Sequence, residues 1–463
     1  MNARLGFALA LALFPAARSV ADDLDVDDPP SEVASSIERF IVDGSAIERR
    51  WNVPMSAAAE ERTRRFLDEW TGRLDRFDWG ALSREGKIDW LLLANHLRAT
   101  RSSLERSSAR RKEVAPILPF ADALVETLEA RRRLEDVDPE AAAGRLAEVA
   151  REVKAAREAL PGGVDRVIAR RAAGFLGRLR DGVKDWYAYH SGYDPLFTWW
   201  VASPWGDADR ELEAYRKRLE EAAGGPDALV GDPIGRTALR EELAREMIPY
   251  TADELLGLAR REMEWTEREL RRAAADMKFD DWHAALEHLK SIHVPPGGQP
   301  KLVRDLGQEA IRFVEERDLV TVPDLCKEVW RIEMMSPESQ KETPFFTGGE
   351  VLRVAFPTDS MTHELKRMSL RANNLHFTRA VVHHELVPGH HLQGFVAARH
   401  RTHRKAFRTA FLVEGWALYW ELRMWQLGFA RSPEDRIGML FWRRHRAARI
   451  LFSLSFHLGQ MTP

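Results

Sequence analysis

Proline and glycine divide residues 31–290 into a series of segments with helical periodicity. Apolar residues recur in them at three- and four-residue spacing, and Ala, Leu, Glu and Arg are abundant, as is typical of amphipathic helices. No fixed internal period is present, which argues against a repeat solenoid. The sequence therefore predicts a mainly α fold. The predicted helices cover residues 58–75, 83–106, 139–158, 163–190, 207–222, 236–247 and 252–276. Thr251, followed by two acidic residues, is a good start signal for the last of them.

The residue pattern changes at about residue 318. From there, short runs rich in β-branched and aromatic residues predict β-strands, and helical periodicity resumes at about residue 376. We therefore divide residues 31–463 into a helical part, 31–317, and a part at 318–463 that combines a small sheet with further helices. The predicted strands are residues 319–323, 329–333 and 351–356. This small sheet precedes the densest group of histidines in the chain.

Composition excludes several kinds of site. The chain has one cysteine, Cys326, so it can form neither an intramolecular disulfide nor a zinc site built from several cysteines. A metal site would have to use histidines and carboxylates. Lys and Arg total 69 against 72 Asp and Glu, which gives a net charge of −3. No excess of positive charge therefore indicates nucleic-acid binding.

A short stretch beginning at residue 383, HHELVPGHHLQ, combines histidine, glutamate, proline and glycine. In the common motif HExxH, two histidines four residues apart share a helix face and bind zinc, and the glutamate activates a water molecule. Here His384 and His390 are six residues apart, which places them about 120° apart around an ideal helix. Pro388 cannot donate a helical hydrogen bond and clashes with the preceding turn. We therefore expect Pro388 and Gly389 to bulge the helix and return His390 to the face of His384.

Two other histidine pairs are less suitable. His383 with His390, and His384 with His391, each share a helix face, but their members lie about two turns, or roughly 10 Å, apart. One zinc ion needs its ligand nitrogens at about 2.0–2.1 Å. The preferred pair is therefore His384 and His390.

Glu414 is the candidate for a third ligand. It lies within residues 411–421, FLVEGWALYWE, which predict a buried helix. A buried carboxylate is costly unless it is paired or binds a metal. Two histidines and one glutamate leave a fourth position for water, as in catalytic zinc sites. Glu421, two turns further along roughly the same face, is a candidate to support a ligand through a hydrogen bond.

These residues also resemble a known family. The pattern HExxPGHxxQ from residue 384, followed by EGWA from residue 414, is similar to DUF885, a zincin-like family of bacterial proteins of unknown function. Residues 373–380, NNLHFTRA, are similar to the same family. The resemblance is strong over residues 370–425 and weak over most of the remaining mature chain. The paired motifs together are specific, whereas either one alone is moderately so.

The family is similar in turn to gluzincin peptidases such as carboxypeptidase Taq and angiotensin-converting enzyme. The resemblance implies that His384, His390 and Glu414 bind Zn²⁺ and that Glu385 is the general base. It also implies a large helical zincin-like body around a cleft, in which the edge of the small sheet binds extended peptide. We therefore predict a zinc metallopeptidase, a carboxypeptidase- or dipeptidase-like hydrolase of short peptides. A weaker alternative is hydrolysis of a non-peptide amide or ester at the same metal.

Five further residues are candidates for the surroundings of the site. His457 is either a hydrogen-bond donor to the transition state or a core histidine. Arg449 either orients a substrate carboxylate or forms an interhelical ion pair. Asn374 and His376 either line the cleft or cap a helix and hydrogen-bond within the core. Gln393 belongs to the motif and is a candidate for contact with a ligand or with substrate.

The first residues have the pattern of a targeting signal. Residues 1–21 combine an early arginine, an apolar run that ends at Pro15, and a small-x-small sequence before Asp22. That pattern is typical of a secretory signal peptide, so we expect a periplasmic or secreted protein. Residues 22–30 predict an acidic linker. No later apolar run is long enough to span a membrane.

The last residues predict an incomplete chain. Family members usually have an aspartate four residues before the equivalent of His457, where this chain has Ser453, and they continue well beyond residue 463. Thr462 and Pro463 are a helix start signal with no helix after them. We therefore expect a C-terminal truncation that removes part of the cleft wall. The alternative function is accordingly a catalytically impaired relative that binds zinc or peptide.

Overall fold

The computed structural model describes residues 31–463, except residues 226 and 344. The predicted signal peptide, 1–21, and the acidic linker, 22–30, lie outside the described residues. As predicted, the described chain is mainly α-helical. None of its helices combines the length and the apolar character that crossing a membrane requires. The helices and strands follow one another in the order given next.

The chain forms α1 (Ala34–Arg50), α2 (Ala57–Leu74), α3 (Arg84–Val114), α4 (Ala121–Arg133), α5 (Pro139–Ala159), α6 (Arg166–Ser191), α7 (Pro195–Ala222), α8 (Gly235–Arg245), α9 (Ala252–Asp276), α10 (Trp282–Lys290), α11 (Gln299–Glu315) and α12 (Asp324–Val329). It continues with β1 (Arg331–Met334), α13 (Pro337–Glu342), β2 (Val351–Val354), α14 (His363–Ala372), α15 (Leu375–Glu385), α16 (His390–Ala397), α17 (Ala410–Gln426) and α18 (Pro433–His457).

Many of these helices begin at a side chain that satisfies their first backbone N–H groups. Asp138, Asp165 and Asp194 each accept two backbone hydrogen bonds at the start of α5, α6 and α7. At the predicted start of α9, Thr251 Oγ1 accepts from the backbone N–H of Glu254, and the Glu254 carboxylate accepts from the N–H of Thr251. Such reciprocal capping fixes the helix start, and it confirms the start predicted there.

The described residues form two compact units. The first unit comprises residues 31–264, 403–408 and 445–463, and the second comprises 265–402 and 409–444. In the first unit, α5 and α6 pack along α7 around a core that includes Leu176, Trp186 and Phe197. The division at residue 318 stays a prediction from the change of residue pattern.

The second unit contains the sheet, which has two parallel strands among the described residues. Arg331 of β1 is paired with Val351 of β2, and α13 connects the two strands. Strand β2 turns Leu352 and Val354 into a core shared with α11 and α15. The sheet and the helices around it therefore form one apolar core, and α15 runs through it.

Three local predictions for this unit were wrong. Residues 319–323 form no strand. The backbone N–H of Leu319 bonds to Val314 at the end of α11, and Pro323 leads into α12. The β-branched residues lack a partner strand there, and β propensity depends on that context. The predicted strand 329–333 starts two residues later, at Arg331, because Val329 still belongs to α12. Two short helices, α12 and α13, already lie between residue 318 and β2, and the first helix after β2 begins at His363, where Thr362 caps α14, rather than at residue 376.

Candidate metal centre

The chain is interrupted between the two central histidines. His384 and Glu385 are the last residues of α15, and His390 is the first residue of α16. Leu386 leaves the helical conformation, with φ −107° and ψ −101°, and the peptide bond before Pro388 is cis. The prediction of one bulged helix was therefore wrong in form, because residues 386–389 separate two helices. The predicted consequence holds, since the His384 and His390 rings lie 4.7 Å apart, centroid to centroid, at 86°.

Glycine at position 389 is needed for this interruption. A Cβ atom built on Gly389 would lie 1.8 Å from the carbonyl oxygen of His384 and 2.6 Å from that of His383. Both are backbone atoms, so they cannot swing away as the end of a flexible side chain could. The approach of the α16 start to the α15 end, which brings the histidines together, therefore depends on the absence of a side chain.

Backbone hydrogen bonds close the two helix ends at the interruption. The N–H of Gly349 donates to the carbonyl of Glu385 at 3.2 Å, and the N–H of His391 donates to the carbonyl of Leu386 at 3.1 Å. The N–H of Gln393 then bonds to Gly389 and starts the helical pattern of α16. These bonds satisfy the carbonyl groups of Glu385, Leu386 and Gly389.

Helix α17 is held against the interruption by two side chains. The indole Nε1 of Trp416 donates to the carbonyl of Pro388 at 2.7 Å. The amide Nε2 of Gln393 donates to the carbonyl of Leu412 at 3.2 Å. Gln393, a predicted site residue, thus ties α16 to the start of α17. Trp416 was not predicted as a site residue, and only its position two residues after Glu414 could have indicated it.

The prediction that residues 411–421 form a buried helix was wrong in part. The segment is helical, but only one face of α17 is buried, at Ala417, Trp420 and Met424. The side chain of Glu414 is 57 % exposed, because it lies beside that face rather than on it. Burial therefore does not force Glu414 to have a metal partner, and the case for it as a ligand depends on distances.

Three side chains converge on one point. Oxygens of the Glu414 carboxylate lie 3.6 Å from Nε2 of His384 and 3.6 Å from Nε2 of His390. One donor atom from each residue lies within 4.8 Å of the other two. Ligands at 2.0–2.2 Å from a tetrahedral zinc ion are about 3.3–3.6 Å from one another. The residue types are those of a zinc site, and both distances from the histidines to the Glu414 carboxylate match this spacing.

The electrostatic surroundings of His384 favour a positive charge. Burial lowers the pKa of this histidine, but the neighbouring carboxylates of Glu414, Glu421 and Glu385 raise the pKa more strongly, to about 9. The carboxylates thus stabilise a cation at the imidazole. A divalent metal ion between His384 and Glu414 would satisfy the same carboxylates.

Glu421 lies behind the ligand it was predicted to support. Its Oε1 is 2.7 Å from Nδ1 of His384, and its side chain is 12 % exposed. A carboxylate on Nδ1 leaves Nε2 of the same ring directed at the metal position and fixes the ring orientation. This distance matches the carboxylate–histidine contact that supports metal-binding histidines.

Glu385 is held beside His384 by a glycine that the sequence reasoning missed. Its Oε1 lies 4.0 Å from Nε2 of His384. A Cβ atom on Gly348 would lie 2.2 Å from Oε2 and 2.5 Å from Cβ of Glu385. The glycine pair at 348 and 349, directly before β2, was the sequence signal for this close contact.

Two histidines next to His384 and His390 are buried. Nδ1 of His383 lies 3.0 Å from the carbonyl of Arg379, and Nε2 of His391 lies 2.8 Å from that of Cys326. Burial lowers the pKa of His383 to about 4 and also lowers that of His391. Both rings are therefore neutral at pH 7.

Asn374 and His376 have structural contacts within the second unit. Asn374 caps α15, because its Oδ1 accepts from the N–H groups of His376 and Phe377. Nδ1 of His376 lies 2.7 Å from Oδ1 of Asp435. Burial raises the pKa of Asp435, but His376 and Arg379 lower it more strongly. These contacts match the predicted alternatives of helix capping for Asn374 and of a core hydrogen bond for His376.

The two remaining candidates belong to the first unit. The N–H of Ile234 donates to Nδ1 of His457 at 3.4 Å, and Arg449 is exposed on α18. The structure thus places a backbone donor on His457. A transition-state role for His457 and a substrate role for Arg449 stay predictions.

Comparisons with known proteins agree with this fold. The family described as "Bacterial protein of unknown function (DUF885)" matches residues 41–463, and the chain belongs to that family. No curated protein matches the chain significantly. The chain is similar to a solved structure described as "a putative lipoprotein of unknown function from Shewanella oneidensis", with TM-score 0.66 and 18 % identity over 94 % of this chain and 85 % of that one. A "putative lipoprotein from Colwellia psychrerythraea" matches with TM-score 0.41 and 16 % identity, over 69 % of this chain and 60 % of that one.

Proposed function

We propose that this protein is a zinc-dependent metallopeptidase that hydrolyses short peptides. The observation that carries the proposal is the convergence of His384, His390 and Glu414 within 4.8 Å, beside the carboxylate of Glu385. Two histidines and one carboxylate with a further acidic group at hand are the residue types that a hydrolytic zinc site needs.

Each residue of the candidate centre would have a separate role in peptide hydrolysis. A bound zinc ion supplies Lewis acidity to a water molecule and to the scissile carbonyl. Glu385 would accept the proton of the attacking water and return it to the leaving amine. Glu421 would keep the ring of His384 in place, and the exposed side of Glu414 leaves the centre open to substrate.

An extracytoplasmic location fits this proposal. Residues 1–21 have the pattern of a signal peptide, and the similar Shewanella protein is described as a lipoprotein. Short peptides are common substrates outside the cytoplasm, and a chain with a single cysteine needs no disulfide there.

Metal binding is the first test of the proposal. Purified protein is expected to hold about one zinc ion per chain, measured by elemental analysis. His384→Ala and Glu414→Ala should lose it, since each leaves two ligands. His363→Ala is the matched control, because His363 lies exposed at the start of α14 and should leave the zinc content unchanged.

Activity is tested with a diverse library of short peptides, read by mass spectrometry. Chelation should abolish cleavage, and zinc should restore it. Protein that holds zinc and cleaves no peptide would support the alternative of a relative that binds zinc or peptide without catalysis. Cleavage of esters alone would support the alternative of a hydrolase that acts on non-peptide substrates. Protein that holds no divalent metal under any condition rules out the proposal.

Gly348→Ala should impair catalysis without removing the metal. The added methyl group overlaps the side chain and the backbone carbonyl oxygen of Glu385 and must displace them, whereas no atom of the three proposed ligands is among these contacts. We expect kcat to fall about 10–100-fold, less than with removal of a general base. Zinc content and kcat, measured on the same samples, check this. A parallel loss of zinc would show that position 348 supports the ligands instead.

A further inference from the structure

A buried ring nitrogen of His383 lies beside the candidate centre and has no role in the proposed reaction. Nε2 of His383 has no hydrogen-bond partner among the described protein atoms, and the residue is fully buried. A buried polar atom without a partner is destabilising. Such an atom next to a metal ligand calls for a partner that is not a protein group.

The state of the ring defines what that partner must be. Nδ1 of His383 faces the carbonyl of Arg379 at 3.0 Å, and a carbonyl oxygen can only accept. The ring therefore donates from Nδ1, and Nε2, buried without a protein partner, is left to accept a hydrogen bond. The missing partner must be a hydrogen-bond donor.

A small cavity lies beside this ring. It has a volume of about 20 Å³, and its lining includes His383, Glu421 and Arg443 between the apolar walls of Trp425 and Met439. That volume is enough for one water molecule, which needs at least about 10–15 Å³ and two to four polar partners. Nε2 and the Glu421 carboxylate accept hydrogen bonds, and Arg443 can donate one.

We propose that His383 positions the metal ligand His384 through one water molecule in this cavity. The water donates one hydrogen to Nε2 of His383 and the other to the Glu421 carboxylate. A carboxylate oxygen fixed in this way keeps the other, Oε1, on Nδ1 of His384 at 2.7 Å. A series of hydrogen bonds thus links His383 through the water molecule and Glu421 to the proposed ligand His384. This inference rests on the proposed zinc site.

Two substitutions of similar polarity separate this role from simple packing. In His383→Asn the amide nitrogen replaces Nδ1 toward Arg379, but nothing replaces Nε2. In His383→Gln the longer side chain places an amide oxygen near the position of Nε2. Because loss of an outer hydrogen bond costs about 10–100-fold in metal affinity, His383→Asn should weaken zinc binding about 10-fold or more. His383→Gln should stay within about 3-fold of the wild type.

The coupling to Glu421 is measured with a double-mutant cycle. If His383 acts through Glu421, then adding His383→Asn to Glu421→Gln should weaken zinc binding no further, because Glu421→Gln has already interrupted the hydrogen bonds that link His383 to His384. The absorption bands of the cobalt-substituted protein should shift in the same variants. Equal losses in the Asn and Gln variants, or additive losses in the double variant, overturn the inference.

A crystal structure of the metal-free wild type tests the water without any dependence on zinc. It should show a water molecule at about 2.7–3.2 Å from both Nε2 of His383 and the Glu421 carboxylate. A dry cavity overturns the inference even if zinc binds. A wild type that binds no metal but holds this water instead overturns the proposed function, so the two failures are distinguishable.

Discussion

Glu385→Gln is expected to keep zinc bound and to lower kcat for peptide hydrolysis by about 10²–10⁴-fold, the usual contribution of a general acid–base residue. Glu385 lies beside the ligand His384, with 4.0 Å between Oε1 and Nε2. A glutamine amide cannot accept the proton of an attacking water. It has nearly the size of the carboxylate, so the close contact with Gly348 is kept. Steady-state kinetics and zinc content of the same preparation check this.

The chain offers a matched control for this substitution. His363 and Glu364 repeat the His-Glu pair at the start of α14, where both side chains are exposed. Glu364→Gln removes the same charge outside the centre and should leave kcat and zinc content unchanged. Full activity of Glu385→Gln would exclude Glu385 as the base. Loss of zinc from this variant would instead identify Glu385 as a ligand.

Local sequence signals predicted several helices closely, because the signals and their causes lie in the same few residues, whereas α7 begins at Pro195 rather than at the predicted residue 207. The caps at Asp138 and Asp165 and the reciprocal pair at Thr251 and Glu254 each satisfy backbone groups within three positions. The strand predicted at 319–323 failed for the opposite reason. Its cause would have been a partner strand elsewhere in the chain, which a local pattern does not reveal.

The candidate site was predictable only as a set of residue types. Spacing alone gave His384 and His390 a separation of about 120° on a helix, and the proline and glycine between them indicated how that separation could be removed. The approach of Glu414 depends on contacts from α17, the Trp416 bond to Pro388 among them. Such contacts join residues far apart in sequence, so no local pattern contains them.

Gly389→Ala is expected to disrupt the candidate centre from the backbone. The added Cβ would lie 1.8 Å from the His384 carbonyl oxygen and 2.4 Å from its carbonyl carbon. The end of α15 and the start of α16 must then move apart, and with them His384 and His390. We expect a loss of about 3 kcal/mol in the free energy of unfolding, the upper end for overpacked sites. Zinc affinity should fall at least about 100-fold, more than from loss of a supporting hydrogen bond.

Gly394→Ala provides the control for this effect within the same helix. A Cβ on Gly394 meets no atom within 4 Å, so the substitution adds a methyl group to α16 without a clash. An alanine in a helix interior is about 0.5–1 kcal/mol more favourable than glycine, so this variant should be slightly stabilised and keep full zinc affinity. Urea unfolding of the metal-free proteins and zinc titration separate the two effects. If Gly389→Ala binds zinc as tightly as Gly394→Ala, the close approach at residue 389 does not set the distance between the two histidines, and some other contact must bring them together.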